Sequence, residues 1–294
     1  MAEDLINQIK ELRAELLLKD SEIMRYRSEL AKINGQLEKM IAGMSQELKL
    51  AGLIQKILSP TEIPNIPGIE FSTKFLPGMN QGGDYFDIFE HEDKLKFGIV
   101  LSCCSGYAMS ALLLSVLIKL SAQIEARRGL DPEKVLLSVV KELGPEVGPK
   151  DSASLFYGVV DRRTFELKYS SIGKISGFLQ VQGEDQISFL EPCAGPLVKN
   201  FGTTPLAHSL QLGARDRLIL CTEGVVEAKS RSGETFGRDR LGKAIHRAPR
   251  SGVHELRNEI LYQMEKFTET TEVERDVTVL VTEVKDRVIK LAKK

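Results

Sequence analysis

Residues 99–114 read IVLSCCSGYAMSALLL. One apolar run ends at a Ser105-Gly106 corner, and a second begins that is long enough for a helix. A strand-turn-helix corner often carries chemistry, because rigid elements position its loop. This corner offers Cys103, Cys104 and Tyr107, with no acid, base or histidine. Two adjacent thiols could bind a soft metal or act as a redox pair. The expected role is packing, as small buried apolar side chains. Cysteines 103, 104, 193 and 221 form no spaced metal motif and fit a reducing compartment better than a disulfide framework. His91 falls in an HEDK turn, and His208, His246 and His254 have no acid or cysteine at liganding spacing, which argues against zinc.

The elements around the corner read as mixed strands and helices. IEFSTKF, DYFDIFEH and KLKFGIVLS are expected strands, followed by a long buried helix that stops at Gly129. DPEKVLLSVVKELG reads as a second helix, with Asp131 as N-cap, Pro132 in its first turn and Gly144 past its end. ASLFYGVVD, TFELKYSSIG, SGFLQVQ and QISFL follow as strands at hairpin spacing, then the strand DRLILCTEG. GVHELRNEILYQMEKFTE is a helix and DVTVLVTEV the last strand. Strands in hairpins and helices in pairs predict antiparallel sheets covered by helices, not a parallel βαβ fold.

The first 58 residues differ. Ile9, Leu16, Ile23, Leu30, Leu37 and Met44 fill one heptad position; Leu5, Leu12, Lys19, Tyr26, Ile33 and Met40 fill the other. A 4-3 apolar spacing held over about six repeats, broken only at Lys19, predicts a coiled coil. The expected partner is the same helix of a second copy, giving a homodimer; a helix folded back on its own domain is the alternative. Gly35 and Gly43 each weaken the helix by about 1 kcal/mol. The expected organisation is a coiled-coil and signalling helix over 1–58, a proline-rich linker over 59–68, a globular domain over 69–286 and a basic tail over 287–294.

Across 294 residues the apolar share is 42%, the charged share 28% and the net charge −1, so bulk charge supplies no attraction to nucleic acid or an anionic membrane. Ser102, Ser105-Gly106, Ser110 and Lys119 interrupt the most apolar stretch, which therefore fails as a membrane span. The charged N-terminus lacks the apolar core of a signal peptide, and a cytoplasmic protein is expected.

Four stretches, taken in order, carry a resemblance. They are ELKLAGLIQKILSPTEIPNIPGIEFSTKFLPGMNQGGDYFDIF, ASLFYGVVDRRTFELKYSSIG, LILCTEGVVEAKSRSGETFGRDRLG and ERDVTVLVTEV. Together they resemble the metal-dependent (PPM-type) serine/threonine phosphatases, in their bacterial SpoIIE/RsbU-like branch. The resemblance implies an α+β fold: a four-layer α-β-β-α sandwich of two antiparallel sheets flanked by helices, preceded by the coiled-coil helix.

The resemblance also implies hydrolysis of phosphoserine or phosphothreonine by two Mn²⁺ or Mg²⁺ ions, hard cations that take oxygen ligands, activate a bridging water and clamp phosphoryl oxygens. It places residual metal ligands at Asp84 in GGDYFD, Glu223 in Thr-Glu-Gly, and Asp276. Without the family, Asp84 would read as a turn residue after Gly82-Gly83. The family's bridging aspartate falls on Cys103, and its following His-Gly on Tyr107-Ala108. Its final liganding acid falls on Arg275, and a usual histidine on Lys174. Gly83, Ser105, Gly106, Tyr107 and Gly224 would border the groove.

A protonated thiol is a poor ligand for hard cations. A guanidinium about 4 Å from a divalent ion repels it by roughly 8 kcal/mol at an effective dielectric of 20. Arg275 is therefore expected in the space of a missing ion, paired with Asp84, Glu223 or Asp276. No resident cofactor is expected, with Mn²⁺ or Mg²⁺ only if the site is active. The leading expectation is a pseudophosphatase that signals by binding a phosphorylatable regulator of the anti-sigma-antagonist type or a switch kinase. An active phosphatase and a structural coiled-coil adaptor are the alternatives.

Overall fold

The computed structural model describes residues 2–58, 63–79, 83–106, 108–127, 129–250 and 252–285. Tyr107, residues 59–62 of the expected linker and the expected tail 287–294 lie outside them. The chain divides into two compact units, Met1–Gly52 and Leu53–Lys294.

The described residues of the first unit are helical. Helix α1 (Ala2–Leu58) runs through Gly35 and Gly43 without a break. Leu12, Leu16, Ile23, Tyr26, Leu30, Ile33, Leu37 and Met40 of the heptad positions are exposed along it.

Among the described residues, the second unit carries ten strands: β1 (Ile69–Leu76), β2 (Tyr85–Glu90), β3 (Lys96–Ser105), β4 (Ser152–Asp161), β5 (Glu166–Ile172), β6 (Ser176–Gln180), β7 (Ile187–Leu190), β8 (His208–Gln211), β9 (Arg217–Cys221) and β10 (Val277–Val284). They form two five-stranded sheets, in the orders β1-β10-β9-β6-β7 and β2-β3-β4-β5-β8. The pairings between these strands are antiparallel.

The sheets bury a shared layer that includes Phe86, Ile88, Ile99 and Leu101 from one side and Leu218, Leu220, Leu280 and Val284 from the other. Helices α2 (Ala108–Arg127) and α3 (Pro132–Leu143) cover the second sheet; α4 (Glu223–Val226), α5 (Gly237–Arg247) and α6 (Val253–Thr268) cover the first. Covered on both faces, β3 and β10 are buried almost end to end instead of alternating. This is the four-layer α-β-β-α sandwich.

Several local expectations differ. The Asp131 side chain makes no cap bond and pairs with Lys134 at 3.2 Å. Gly144 is right-handed and opens a short 3-10 turn, so it does not stop α3 as a left-handed glycine would. α2 is buried on one side only; Leu113, Leu117, Leu120 and Ile124 are exposed. Strand β8 was not expected: it is four residues long and mostly exposed, too short for a periodic signal. Nor was α5, whose few buried residues, Leu241, Ala244 and Ile245, sit among charges.

Candidate functional site

The site is built where β3 and β9 end and β4 and β10 begin. Register sets Cys103 opposite Ser154 and Cys221 opposite Val279. Thr222 N–H donates to the Thr278 carbonyl at 3.1 Å, extending the β9-β10 ladder by one step. Gly83 and Cys104 exchange backbone hydrogen bonds at 3.4 and 3.2 Å, which brings the segment before β2 alongside the end of β3.

Asp84 is buried between the strand ends. Its Oδ2 accepts from the hydroxyls of Thr222 and Thr278, each at 2.7 Å. The Thr222 hydroxyl in turn accepts from Thr278 N–H at 2.9 Å, so that oxygen is used as both donor and acceptor. Burial, and next the nearby charge of Asp276, push the Asp84 carboxyl well above the usual carboxylate range; the two threonine bonds oppose this.

The Asp276 carboxylate holds backbone. Its Oδ1 accepts from Gly78 N–H at 2.8 Å and its Oδ2 from Asp84 N–H at 3.4 Å. It thereby clips the segment before β2 to the start of β10.

Glu223 opens α4 and is turned into the cluster. Its Oε1 accepts from Ser154 Oγ at 3.0 Å and its Oε2 from Arg275 Nη1 at 2.9 Å. Lys174 Nζ stands 3.7 Å from the same Oε2. Glu227, one turn on, is within 2.9 Å of both Arg275 and Lys174. That pairing raises the Lys174 pKa, chiefly through the bond to Glu227. Arg275 thus lies against Glu223 and Glu227, with 46% of its side chain in solvent.

Cys103 faces the layer between the sheets. Burial first, then the charges of Glu223 and Asp84, push its thiol well above its ordinary pKa. Cys104, also buried, is pushed the same way by burial and by Asp84 and Glu223. Both are therefore protonated at neutral pH.

Two glycines allow the close packing. A Cβ on Gly224 would meet the Asp276 carbonyl oxygen, and one on Gly83 would meet the carbonyl of Ala111 in α2. At the corner, Ser105 and Ser152 share a hydroxyl bond of 2.7 Å. The Asp151 carboxylate packs against Gly106, which has φ +152°, and accepts from Ser110 Oγ at 2.9 Å.

The structure therefore gathers Asp84, Cys103, Glu223, Arg275 and Asp276, with Gly83, Ser105, Gly106 and Gly224 around them. Sequence reasoning missed Ser154, Glu227, Asp151 and the two threonines as members. Glu227 had a signal in its place one helical turn after Glu223. Ser154 had none, because only strand pairing brings it there. Among the described residues, no group of three or more histidine, cysteine, aspartate or glutamate side chains is arranged to hold a metal ion.

Two antiparallel sheets between helical layers give the chain a PP2C-like fold. The chain belongs to the family described as Stage II sporulation protein E (SpoIIE), whose model matches residues 93–285. It is 23% identical over 206 residues to phosphoserine phosphatase RsbU of Bacillus subtilis, covering 67% of this chain and 60% of that one. It is 25% identical over 226 residues to protein IcfG of Synechocystis, covering 68% of this chain and 35% of that one. The chain thus spans less than two thirds of either relative.

Its fold is shared with the SiaA-PP2C domain of Pseudomonas aeruginosa, with TM-score 0.68, 19% identity, 82% of this chain and 96% of that one. It is shared too with the RsbU and RsbW domains of Rv1364c from Mycobacterium tuberculosis, with TM-score 0.65, 21% identity, 76% of this chain and 64% of that one. A more distant fold neighbour, the PstP catalytic domain, is a complex with two manganese ions, with TM-score 0.53, 13% identity, 74% of this chain and 99% of that one. Among the described residues, no helix is long and apolar enough to cross a membrane.

Proposed function

We propose that this chain is a signalling protein of the SpoIIE/RsbU-like class that works by holding a regulatory partner, with its central site retired from metal-dependent hydrolysis. The observation that carries this reading is the pairing of Arg275 with Glu223 and Glu227, reinforced by Lys174.

The donor set does not fit a pair of hard divalent ions. One oxygen of Glu223 is taken by a cation and the other by Ser154. The Asp276 carboxylate accepts a backbone N–H on each oxygen. The Cys103 thiol holds its proton and offers soft sulfur. Solvent at the half-exposed Arg275 screens its repulsion of an ion well below the value for a buried charge. The Lys174 charge beside it adds to that repulsion.

The partner in this reading is a phosphorylatable regulator of the anti-sigma-antagonist type or a switch kinase, consistent with the RsbU-like relatives. Segment 1–58 would pair two copies through its exposed heptad positions, a seam that one helix cannot bury alone. A twist of that coil would then reach the domain at 69–286.

One observation favours a second reading, an active phosphatase: Asp84, Glu223 and Asp276 converge on one end of the sandwich, and Asp276 lies one position from Arg275. Calorimetric Mn²⁺ titration, beside assays on a small phosphoester and a phosphoserine peptide, separates the two. The control is Cys103→Asp/Arg275→Asp. A native protein that binds no Mn²⁺ and is inert, while the control gains metal binding, supports retirement. Native turnover dependent on Mn²⁺ would overturn it.

A further inference from the structure

A second cleft, of about 400 Å³, lies between α5 and α6 on the outer layer of the sandwich. Among the described residues, four cations line it and no carboxylate does: Arg240, Lys243 and Arg247 from α5, and Lys266 from α6. Positions 240, 243 and 247 share one face of α5, while Leu241 and Ile245 anchor the helix in the core. The whole chain is close to neutral, so this is a local concentration of charge and not general basicity.

Two of the cations are held in place. The Arg240 guanidinium lies 4.5 Å from the ring centre of Phe267, donates to the Thr235 carbonyl at 2.9 Å, and pairs with Glu234 at 3.1 Å. Arg247 donates to Gln263 Oε1 at 3.5 Å, and the Gln263 amide donates to Glu259 at 2.8 Å. Lys243 and Lys266 form no ion pair among the described residues, and both are exposed. Like charges gathered on one wall repel in the free protein, and an anion relieves that repulsion.

We propose that this cleft docks an acidic segment of a protein partner. Between Arg240 and Arg247 the helix rises about 10 Å. A single phosphate or carboxylate cannot span that length, so the occupant carries several negative charges in line. An acidic helical turn or extended strand does so. The Phe267 ring adds an apolar wall for a hydrophobic residue among the acids. The guanidinium of Arg247 offers paired donors to a carboxylate, and the two lysines act as movable point charges. The docking stands whether or not the central site hydrolyses anything.

The test is fluorescence anisotropy of the full chain at low salt. The probe is a fluorescein-labelled peptide of ten glutamates with one central phenylalanine, and pyrophosphate is the small-anion competitor. The wild-type chain is expected to bind the peptide, more weakly as salt rises. The variant K243E/K266E is expected to lose about tenfold or more in affinity. K243Q/K266Q, gentler on the fold, is expected to lose part of it, with circular dichroism unchanged in both. Arg275→Ala is expected to bind as wild type, which separates this cleft from the central site. Absent binding, undiminished binding by both lysine variants, or displacement by pyrophosphate at the concentration at which the peptide itself competes would each overturn the proposal.

Discussion

Nη1 of Arg275 lies 2.9 Å from Oε2 of Glu223, whose side chain is only 6% exposed. The buried carboxylate is thereby held in an ion pair within the protein. Removing the cation is expected to leave that oxygen to Lys174, 3.7 Å away, and to solvent.

Arg275→Ala is therefore expected to increase Mn²⁺ affinity in calorimetry and to lower stability by about 1 kcal/mol, since the guanidinium is half in water and Lys174 remains nearby. Urea unfolding reads the second effect. Equal Mn²⁺ binding in the two proteins would remove Arg275 as the blocking group.

Asp84 gives a pH dependence of known sign. Its folded pKa is raised, so just above the ordinary carboxylate range the folded protein keeps a proton that the unfolded chain has released. The contribution is fully present below the unfolded pKa and is lost as pH rises through the folded value. Asp84→Asn removes this slope. Wild-type stability is expected to fall more steeply than that of the variant as pH rises from about 4 toward neutrality, because the unfolded aspartate titrates near 3.9. Parallel urea midpoints across that range would contradict the assignment.

Thr222→Val breaks two bonds at once. Asp84 loses a donor, and the buried Thr278 N–H loses its side-chain acceptor. The expected cost is about 2–6 kcal/mol, each buried group that loses its partner contributing about 1–3. Thr278→Val deprives only Asp84 and is expected to cost less. Denaturation midpoints of the two variants, and their order, are the check.

The α1 seam makes a prediction about assembly. Leu16→Glu/Leu30→Glu places charge at exposed heptad positions. Sedimentation equilibrium is expected to show a dimer for the wild-type chain and a monomer for the variant. A monomeric wild-type chain would remove the coil as the dimerising element.

The amino-acid pattern alone determined much of the fold. Hairpin-spaced apolar runs with paired helices are enough to predict two covered antiparallel sheets, because burying one face of each element permits few arrangements. The heptad spacing is a local period too, and the segment that carries it is the single helix α1. Elements with weak periods escaped: β8 is short and exposed, and α5 is mostly charged. Asp131 and Gly144 show that a residue type favoured at a helix end need not make the cap, since each cap depends on the direction the chain takes next.

At the site, short motifs marked Asp84, Cys103, Glu223, Arg275 and Asp276 only through the family resemblance they carry; without it Asp84 reads as a turn residue. Tertiary structure alone decided what each one touches. Asp84 meets Thr222 and Thr278 across gaps of 138 and 194 residues, and Ser154 reaches Glu223 across 69. Such contacts depend on strand register and on which strand ends meet at one end of the sandwich. Neither is written in the local spacing of residue types, because a hydrogen bond depends on distance in space and the motif records distance only along the chain.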